Sequence, residues 1–280
     1  MASASATTSS ERVRGSAALA QRFAALRASS RRALVCYATA GHPDPASTPV
    51  LWRALEEAGA DVLEVGVPFS DPLADGPVIQ ASSQRGIEHG VTFARTLELI
   101  SAAQLSIPVV LFSYLNPVIA AGPGALERAA DAGAHGVLIT DLPVGADAER
   151  EGWLGSGPLA FVRLVAPTTP RERLGEIARH GSGFVYLISR LGVTGAREDV
   201  SSALPATVAE LRRVTDLPIC VGFGVSRPDQ ARRFAEYADG VVVGSAIVRA
   251  AGEGGVSAAA RLVRTLRDAL DDHRGSHVAG

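Results

Sequence analysis

Two acidic residues in one stretch have the types and spacing for proton chemistry. Glu64 sits inside the apolar run Val62-Leu63-Glu64-Val65-Gly66, where an unpaired charge is costly. Asp75 follows eleven residues later, in Asp71-Pro72-Leu73-Ala74-Asp75-Gly76-Pro77, a segment whose prolines and glycine read as loop. A carboxylate on a rigid strand with a second on a loop is a layout for acid/base work under a closing lid. Strand alternation sends residues 62, 64 and 66 to one face, so Glu64 is expected inside the fold, with a raised pKa. Its plain alternative is a buried glutamate paired with arginine or backbone. Asp75 has the plain alternative of an exposed turn residue, and on spacing alone Asp71 serves equally well as the acid.

A second group of residues suits an anion. Val221-Gly222-Phe223-Gly224-Val225 and Val243-Gly244-Ser245-Ala246 each follow an apolar run, and the latter leads into a short helix at Ile247–Ala251. Glycine-freed amides together with a helix N-terminus make a phosphate cradle, which Thr194-Gly195 would complete.

The elements that must position these groups alternate. Apolar strands are expected at Leu34–Ala38, Val62–Val65, Val109–Phe112, Gly136–Ile139, Leu159–Leu164, Phe184–Ile188, Ile219–Val221 and Gly240–Val243. Helical patterns lie between them at Leu51–Ala58, Phe93–Ala103, Gly124–Ala132, Asp147–Trp153 (poorly patterned), Arg171–Arg179, Leu204–Val214 and Pro228–Tyr237, with a last one from Ser257 to Leu270. Eight strands alternating with helices predict an α/β chain folded as a (β/α)8 TIM barrel. A doubly wound sheet is the competing architecture, weakened by the lack of a Gly-rich dinucleotide turn after the first strand. The Ala-rich segment Ala17–Ala28 is expected as an extra helix that plugs the barrel bottom. Two intervals are long, from the strand at Val62 to that at Val109 and from Phe184 to Ile219. Both begin with Gly/Pro-rich sequence at a strand's C-terminal end, where barrel sites are built.

Composition narrows the chemistry. The chain of 280 residues contains no lysine, since all 27 basic residues are arginine. That excludes a Schiff-base aldolase and a lysine-anchored pyridoxal phosphate enzyme. The histidines (His42, His89, His135, His180, His273, His277) are scattered, which disfavours a metal-dependent aldolase, and no Gly-x-Ser-x-Gly elbow occurs. A net charge of −2 with interspersed signs speaks against nucleic acid, and no run of 18 apolar residues suggests a membrane span. Cys36 and Cys220 read as buried thiols in a reducing cytosol rather than a disulfide or reactive thiol. Residues 1–15 and 274–280 are expected as disordered tails around one catalytic domain, 16–273; the first could also be read as a transit peptide.

The run from Leu63 to Pro77 closely resembles the signature of the tryptophan synthase alpha chain family. Tyr186-Leu187-Ile188-Ser189-Arg190, Gly192-Val193-Thr194-Gly195-Ala196, Gly222-Phe223-Gly224 and Gly244-Ser245-Ala246-Ile247-Val248 extend the likeness over roughly Arg22 to Leu270. The resemblance implies a lyase that cleaves indole-3-glycerol phosphate to indole and glyceraldehyde 3-phosphate, a retro-aldol reaction in tryptophan biosynthesis. It needs neither metal nor Schiff base, in agreement with the inventory above. By the same resemblance Glu64 is the acid/base acting at indole C3 and the side-chain hydroxyl, while Asp75 holds the indole N–H and stabilises the cation. Tyr186 and Phe223 line the site, and Tyr37, Phe112 and Ile79 lie near the indole. Gly195, Gly222, Gly224, Gly244 and Ser245 would surround the phosphate, and Thr194 would close beside Asp75 in a lid from Arg190 to Val200. No cofactor is implied for this chain. Pyridoxal phosphate belongs to the beta chain, the implied partner in a cytoplasmic assembly of two alpha and two beta chains, touched by Asp71 and Pro72. The alternatives are a stand-alone lyase releasing free indole, an inactive barrel that only activates a partner, and an epimerase-like phosphate barrel.

Overall fold

Eight parallel strands hydrogen-bond in chain order and close on themselves, β1 against β8, in a computed structural model that describes residues 12–166, 168–188, 203–222 and 224–272. They are β1 Ala33–Thr39, β2 Val62–Gly66, β3 Val109–Ser113, β4 Gly136–Ile139, β5 Ala160–Val165, β6 Val185–Ile188, β7 Ile219–Gly222 and β8 Gly240–Val243. All eight expected strands are present within a residue or two, and the barrel is the expected (β/α)8 type. Every strand residue but three is buried, because helices cover the outside and side chains fill the inside.

The strand alternation sorts two cores. Residues such as Leu34, Cys36, Leu63, Val65, Leu111, Phe161 and Val221 point outward and pack against the helices. Val35, Val62, Val110, Leu138, Val162, Tyr186 and Val242 point inward. Helix α1 (Arg12–Ala28) sends Leu19, Phe23 and Leu26 into this interior from below, with Phe23 and Phe184 ring centroids 5.8 Å apart. This is the expected plug, and each such side chain stabilises by roughly 1.5–3 kcal/mol on burial. Gly15 makes it possible: a Cβ there would stand 2.3 Å from the His135 carbonyl oxygen.

The bottom is further tied by charge. Buried Asp61 accepts from Arg22 at 2.7 Å, Arg267 at 2.9 Å and the Leu34 N–H at 2.8 Å. Arg267 lies on the last helix, α11 (Ser245–Asp272), so the closing helix is fastened to the β1–β2 side. That helix breaks at Gly255, with φ 67° and ψ −167°, which separates the expected short helix at Ile247–Ala251 from the expected one at Ser257–Leu270.

Between strands lie α2 (Thr48–Glu57), α3 (Pro77–Glu88), α4 (Phe93–Ala103), α5 (Leu115–Ala120), α6 (Ala125–Asp131), α7 (Ala148–Ser156), α8 (Arg171–Arg179), α9 (Ala203–Val214) and α10 (Pro228–Ala235). Two of these depart from expectation. The long interval after β2 is not all loop, because α3 begins at Pro77, where a proline suits the first helical turn. Its buried residues are Ile79, Ser82, Ser83 and Gly86, too small and polar to give an apolar stripe. The six-residue α5 follows β3 directly and contains Pro117.

Candidate active site

Glu64 occupies the middle of β2, opposite Tyr37 of β1 and Val110 of β3. It is 1% exposed, and neither carboxylate oxygen has a hydrogen-bond partner among the described residues. No arginine or backbone partner of the plain alternative meets it among the described residues. Burial pushes its pKa from an ordinary 4.5 to about 8, so the resting side chain is a neutral acid near neutral pH.

Asp75 stands at the end of the loop that carries the chain from β2 to α3. Two anchors hold that loop. At its base the Phe69 N–H donates to Ser83 Oγ at 2.8 Å, and Ser83 donates back to the Phe69 carbonyl at 3.0 Å. At its tip Tyr114 accepts from the Ala74 N–H at 2.9 Å and donates to Asp75 Oδ2 at 3.0 Å. Burial raises the Asp75 pKa to about 6, while the Tyr114 hydrogen bond pulls it the other way. At neutral pH Asp75 is thus an anion while Glu64 is protonated. Asp71 and Pro72 lie further out on the same loop; Asp71 is exposed and Leu73 is 82% exposed.

The residues between the carboxylates are aromatic and aliphatic. Tyr37 meets Phe112 edge to face, with ring centroids 5.2 Å apart, and packs with Ile79 and Val248. Tyr186 on β6 is buried, and its phenol is pushed well up by burial and then by the charge of Glu64, with Asp75 and Tyr37 also acting on it. Both carboxylates likewise act on the Tyr37 phenol, after burial the main cause of its upward shift. Tyr37 stands opposite Glu64 in the β1–β2 register and packs with Phe112 and Ile79, while Tyr186 faces the same barrel interior from β6. Two glycines keep that space open. A Cβ on Gly222 would lie 2.6 Å from the Tyr186 hydroxyl, and one on Gly66 would lie 2.0 Å from the Tyr37 hydroxyl.

The glycine-rich ends of β7 and β8 sit on the same side of the barrel. Gly224 has φ +82° and is exposed. Gly244 follows β8 next to the Tyr37 side chain, and Ser245 starts α11. The N–H groups of Ile247 and Val248 turn back to the Gly244 carbonyl at 2.9 and 3.1 Å. The amides of Ser245 and Ala246 precede these bonds, as at any helix start that can receive an anion. Thr194, Gly195 and Phe223, with the whole expected lid from Arg190 to Val200, lie outside the described residues. No three His, Cys, Asp or Glu side chains among the described residues are grouped to hold a metal ion.

Tyr114, Thr39, Ser82 and Ser83 escaped the sequence reading. Tyr114 and Thr39 had a usable signal, each within two residues of the C-terminal end of an expected barrel strand; Ser82 and Ser83 had none.

Fold and site together define a (β/α)8 barrel that carries one buried carboxyl on β2 and a second, hydrogen-bonded to Tyr114, on the loop that follows it. The sequence model of the tryptophan synthase alpha chain family matches residues 23–273. The tryptophan synthase alpha chain of Desulfatibacillum aliphaticivorans is 47% identical over 81% of this chain and 87% of its own. That of Picosynechococcus is 43% identical over 90% of this chain and 98% of its own. Among solved structures, tryptophan synthase from Mycobacterium tuberculosis superposes with a TM-score of 0.83 at 37% identity, covering 90% of this chain and 97% of the other. Tryptophan synthase subunit alpha from Legionella pneumophila gives 0.82 at 32% identity, covering 91% and 98%. The chain belongs to the tryptophan synthase alpha chain family, whose reaction is the cleavage of indole-3-glycerol phosphate in tryptophan biosynthesis.

Proposed function

We propose that this chain cleaves indole-3-glycerol phosphate to indole and glyceraldehyde 3-phosphate with Glu64 as acid and base and Asp75 as electrostatic partner. The observation that carries this reading is the split environment of the two carboxyls: one buried, unpartnered and protonated, the other hydrogen-bonded and ionised at the same pH. Such a split is how one site holds an acid and a base together.

The steps balance without any external group. Glu64 gives its proton to indole C3, and the ring becomes an indoleninium cation whose N–H points to the Asp75 carboxylate. Glu64, now a carboxylate, takes the proton of the hydroxyl on the side-chain carbon next to C3. That oxygen forms the aldehyde as the carbon–carbon bond breaks, and its electron pair returns to the ring to give indole. Glu64 ends protonated as it began. The cation is the electron sink that a lysine would otherwise provide, which suits a chain with none. Tyr37, Phe112, Ile79 and Tyr186 form the apolar walls against the indole. Gly222, Gly224, Gly244 and Ser245 receive the phosphate, with Thr194 and Gly195 completing that end in a lid from Arg190 to Val200, while Phe223 lines the site with Tyr186.

The partner in this reading is a beta chain that carries pyridoxal phosphate, in an assembly of two alpha and two beta chains; this chain itself needs no cofactor. Support comes from exposed aliphatic side chains on the βα segments: Leu73, 82% exposed, follows Asp71 and Pro72, and Ile119, 40% exposed, lines a depression with Pro123 and Trp153. Exposed aliphatic side chains on a βα rim suit a contact surface. The two buried free thiols suit a reducing cytoplasm. The test is indole release from indole-3-glycerol phosphate by the purified chain, with and without its beta chain. Indole release accelerated by the beta chain, with a complex on gel filtration, is expected. A fast reaction unchanged by the beta chain would favour a stand-alone lyase, and no indole at all would sink the reading.

A further inference from the structure

Behind the indole wall runs a buried chain of hydroxyls. Tyr37 and Thr39 oxygens are 3.3 Å apart, Thr39 and Ser82 oxygens 2.6 Å, and Ser82 Oγ is 2.8 Å from the Ile79 carbonyl. All three side chains are buried. Each hydroxyl has one proton, which fixes the direction of the whole chain. A carbonyl only accepts, so Ser82 donates to Ile79. With that proton committed, Thr39 must donate to Ser82. With the Thr39 proton committed in turn, Tyr37 must donate to Thr39.

The far end of this relay is in the site. The Tyr37 hydroxyl stands over Gly66, the next inward-facing position after Glu64 on β2, and any side chain at 66 would displace it. At its other end the Tyr37 side chain touches Gly244 of the anion cradle. A phenol whose only proton is held from behind can offer its site nothing but a lone pair. We infer that the Tyr37 hydroxyl is a dedicated hydrogen-bond acceptor for a donor on the substrate, and that Thr39 and Ser82 are positioning residues that keep it so. The inference rests on the function proposed above and adds a selection rule: at this point the pocket takes an N–H or O–H and turns away an oxygen acceptor. In indole-3-glycerol phosphate the ring N–H is given to Asp75, so the donor left for Tyr37 is a glycerol hydroxyl. The relay also ties β1 to the second turn of α3, so the wall that holds the ring and the helix that follows Asp75 are joined.

The experiment compares Tyr37→Phe, Thr39→Val, Thr39→Ser, Ser82→Ala and the double variant Tyr37→Phe with Thr39→Val in steady-state cleavage. Binding of indole-3-propanol phosphate, which keeps the ring N–H but lacks the glycerol hydroxyls, is measured beside it by calorimetry. Loss of one substrate hydrogen bond should raise KM roughly three- to tenfold in Tyr37→Phe and in Thr39→Val, with kcat within about twofold. Ser82→Ala should move KM in the same direction and carries the test if Thr39→Val does not fold. Thr39→Ser keeps the hydroxyl and should restore KM to within about twofold. The double variant should be no worse than Tyr37→Phe alone, because Thr39 acts only through Tyr37. The analogue should bind Tyr37→Phe within about twofold of the unaltered chain, because the donor to Tyr37 is a glycerol hydroxyl that the analogue lacks; an analogue that weakens as much as the substrate overturns the inference. An unchanged KM in Tyr37→Phe, or a Thr39→Val effect that adds in full to it, overturns the inference while leaving the proposed reaction standing. Failure of the unaltered chain to release indole removes both.

Discussion

Replacing Glu64 with glutamine should protect the fold against alkali while disabling the chemistry. Folded, the Glu64 carboxyl holds its proton up to about pH 8; unfolded, it loses it near 4.5. Between those values the folded state binds more protons than the unfolded one, so stability falls as pH rises. At about 1.4 kcal/mol per pH unit, the gap from 4.5 to about 8 amounts to roughly 5 kcal/mol above both values, and on the order of 3 kcal/mol at pH 7. That stability is fully present below 4.5 and lost by the time the folded carboxyl has ionised. Glutamine cannot ionise, so the Glu64→Gln variant escapes this loss, whatever constant cost its buried amide adds. The assay is urea unfolding of both proteins, followed by circular dichroism, at pH 5.5, 7 and 8.5. Subtracting one curve from the other cancels Asp75 and every other group common to both. The stability difference should shift in favour of the variant by on the order of 3 kcal/mol from pH 5.5 to 8.5. A difference that stays constant across that range would refute the claim that this carboxyl is buried without a partner.

Four further outcomes are expected. Cleavage needs Glu64 protonated and Asp75 ionised, so kcat/KM should trace a bell with limbs near pH 6 and about 8; Asp75→Asn should lower the whole curve, and Tyr114→Phe should carry the acid limb upward. A flat profile across that range would separate these residues from the rate. Gly222→Ala places a Cβ 2.6 Å from both the Tyr186 hydroxyl and the Val242 Cβ, and should cut kcat/KM roughly tenfold or more while overpacking the barrel by about 1–3 kcal/mol; retained activity in the folded variant would remove Tyr186 from the wall. Asp71 is exposed, so Asp71→Asn should leave the isolated chain's cleavage intact and reduce only its stimulation by a beta chain. Arg267→Met leaves buried Asp61 with one arginine fewer and should cost about 3–5 kcal/mol in urea unfolding, with unchanged KM in the molecules that fold.

The strands were readable because a parallel barrel buries both faces and so writes short, nearly continuous apolar runs. Alternation within Val62–Gly66 then placed Glu64 inside without any coordinates. The plug was readable from its alanines and from its position before β1. What stayed hidden shares a different cause. α3 buries Ser82, Ser83 and Gly86 beside a single isoleucine, so its sequence carries no apolar period, and Pro77 read as the end of a turn instead of the start of a helix. The Tyr114 to Asp75 bond joins residues 39 apart, and the Thr39 to Ser82 bond joins residues 43 apart. Hydroxyl pairs of that kind leave no trace in spacing. The turn residues Asp71 and Asp75 looked alike for the same reason, and burial with a phenol partner is what sets Asp75 apart.

The most direct measurement is single-turnover cleavage of indole-3-glycerol phosphate by Glu64→Gln, with binding of indole-3-propanol phosphate measured on the same preparation. Loss of an acid/base group that serves two steps should lower the rate by about 10²–10⁴-fold or more, while the analogue binds within about twofold of the unaltered chain, since glutamine keeps the shape of the pocket. Near-normal turnover by the folded variant would contradict the assignment of the proton transfers to this carboxyl.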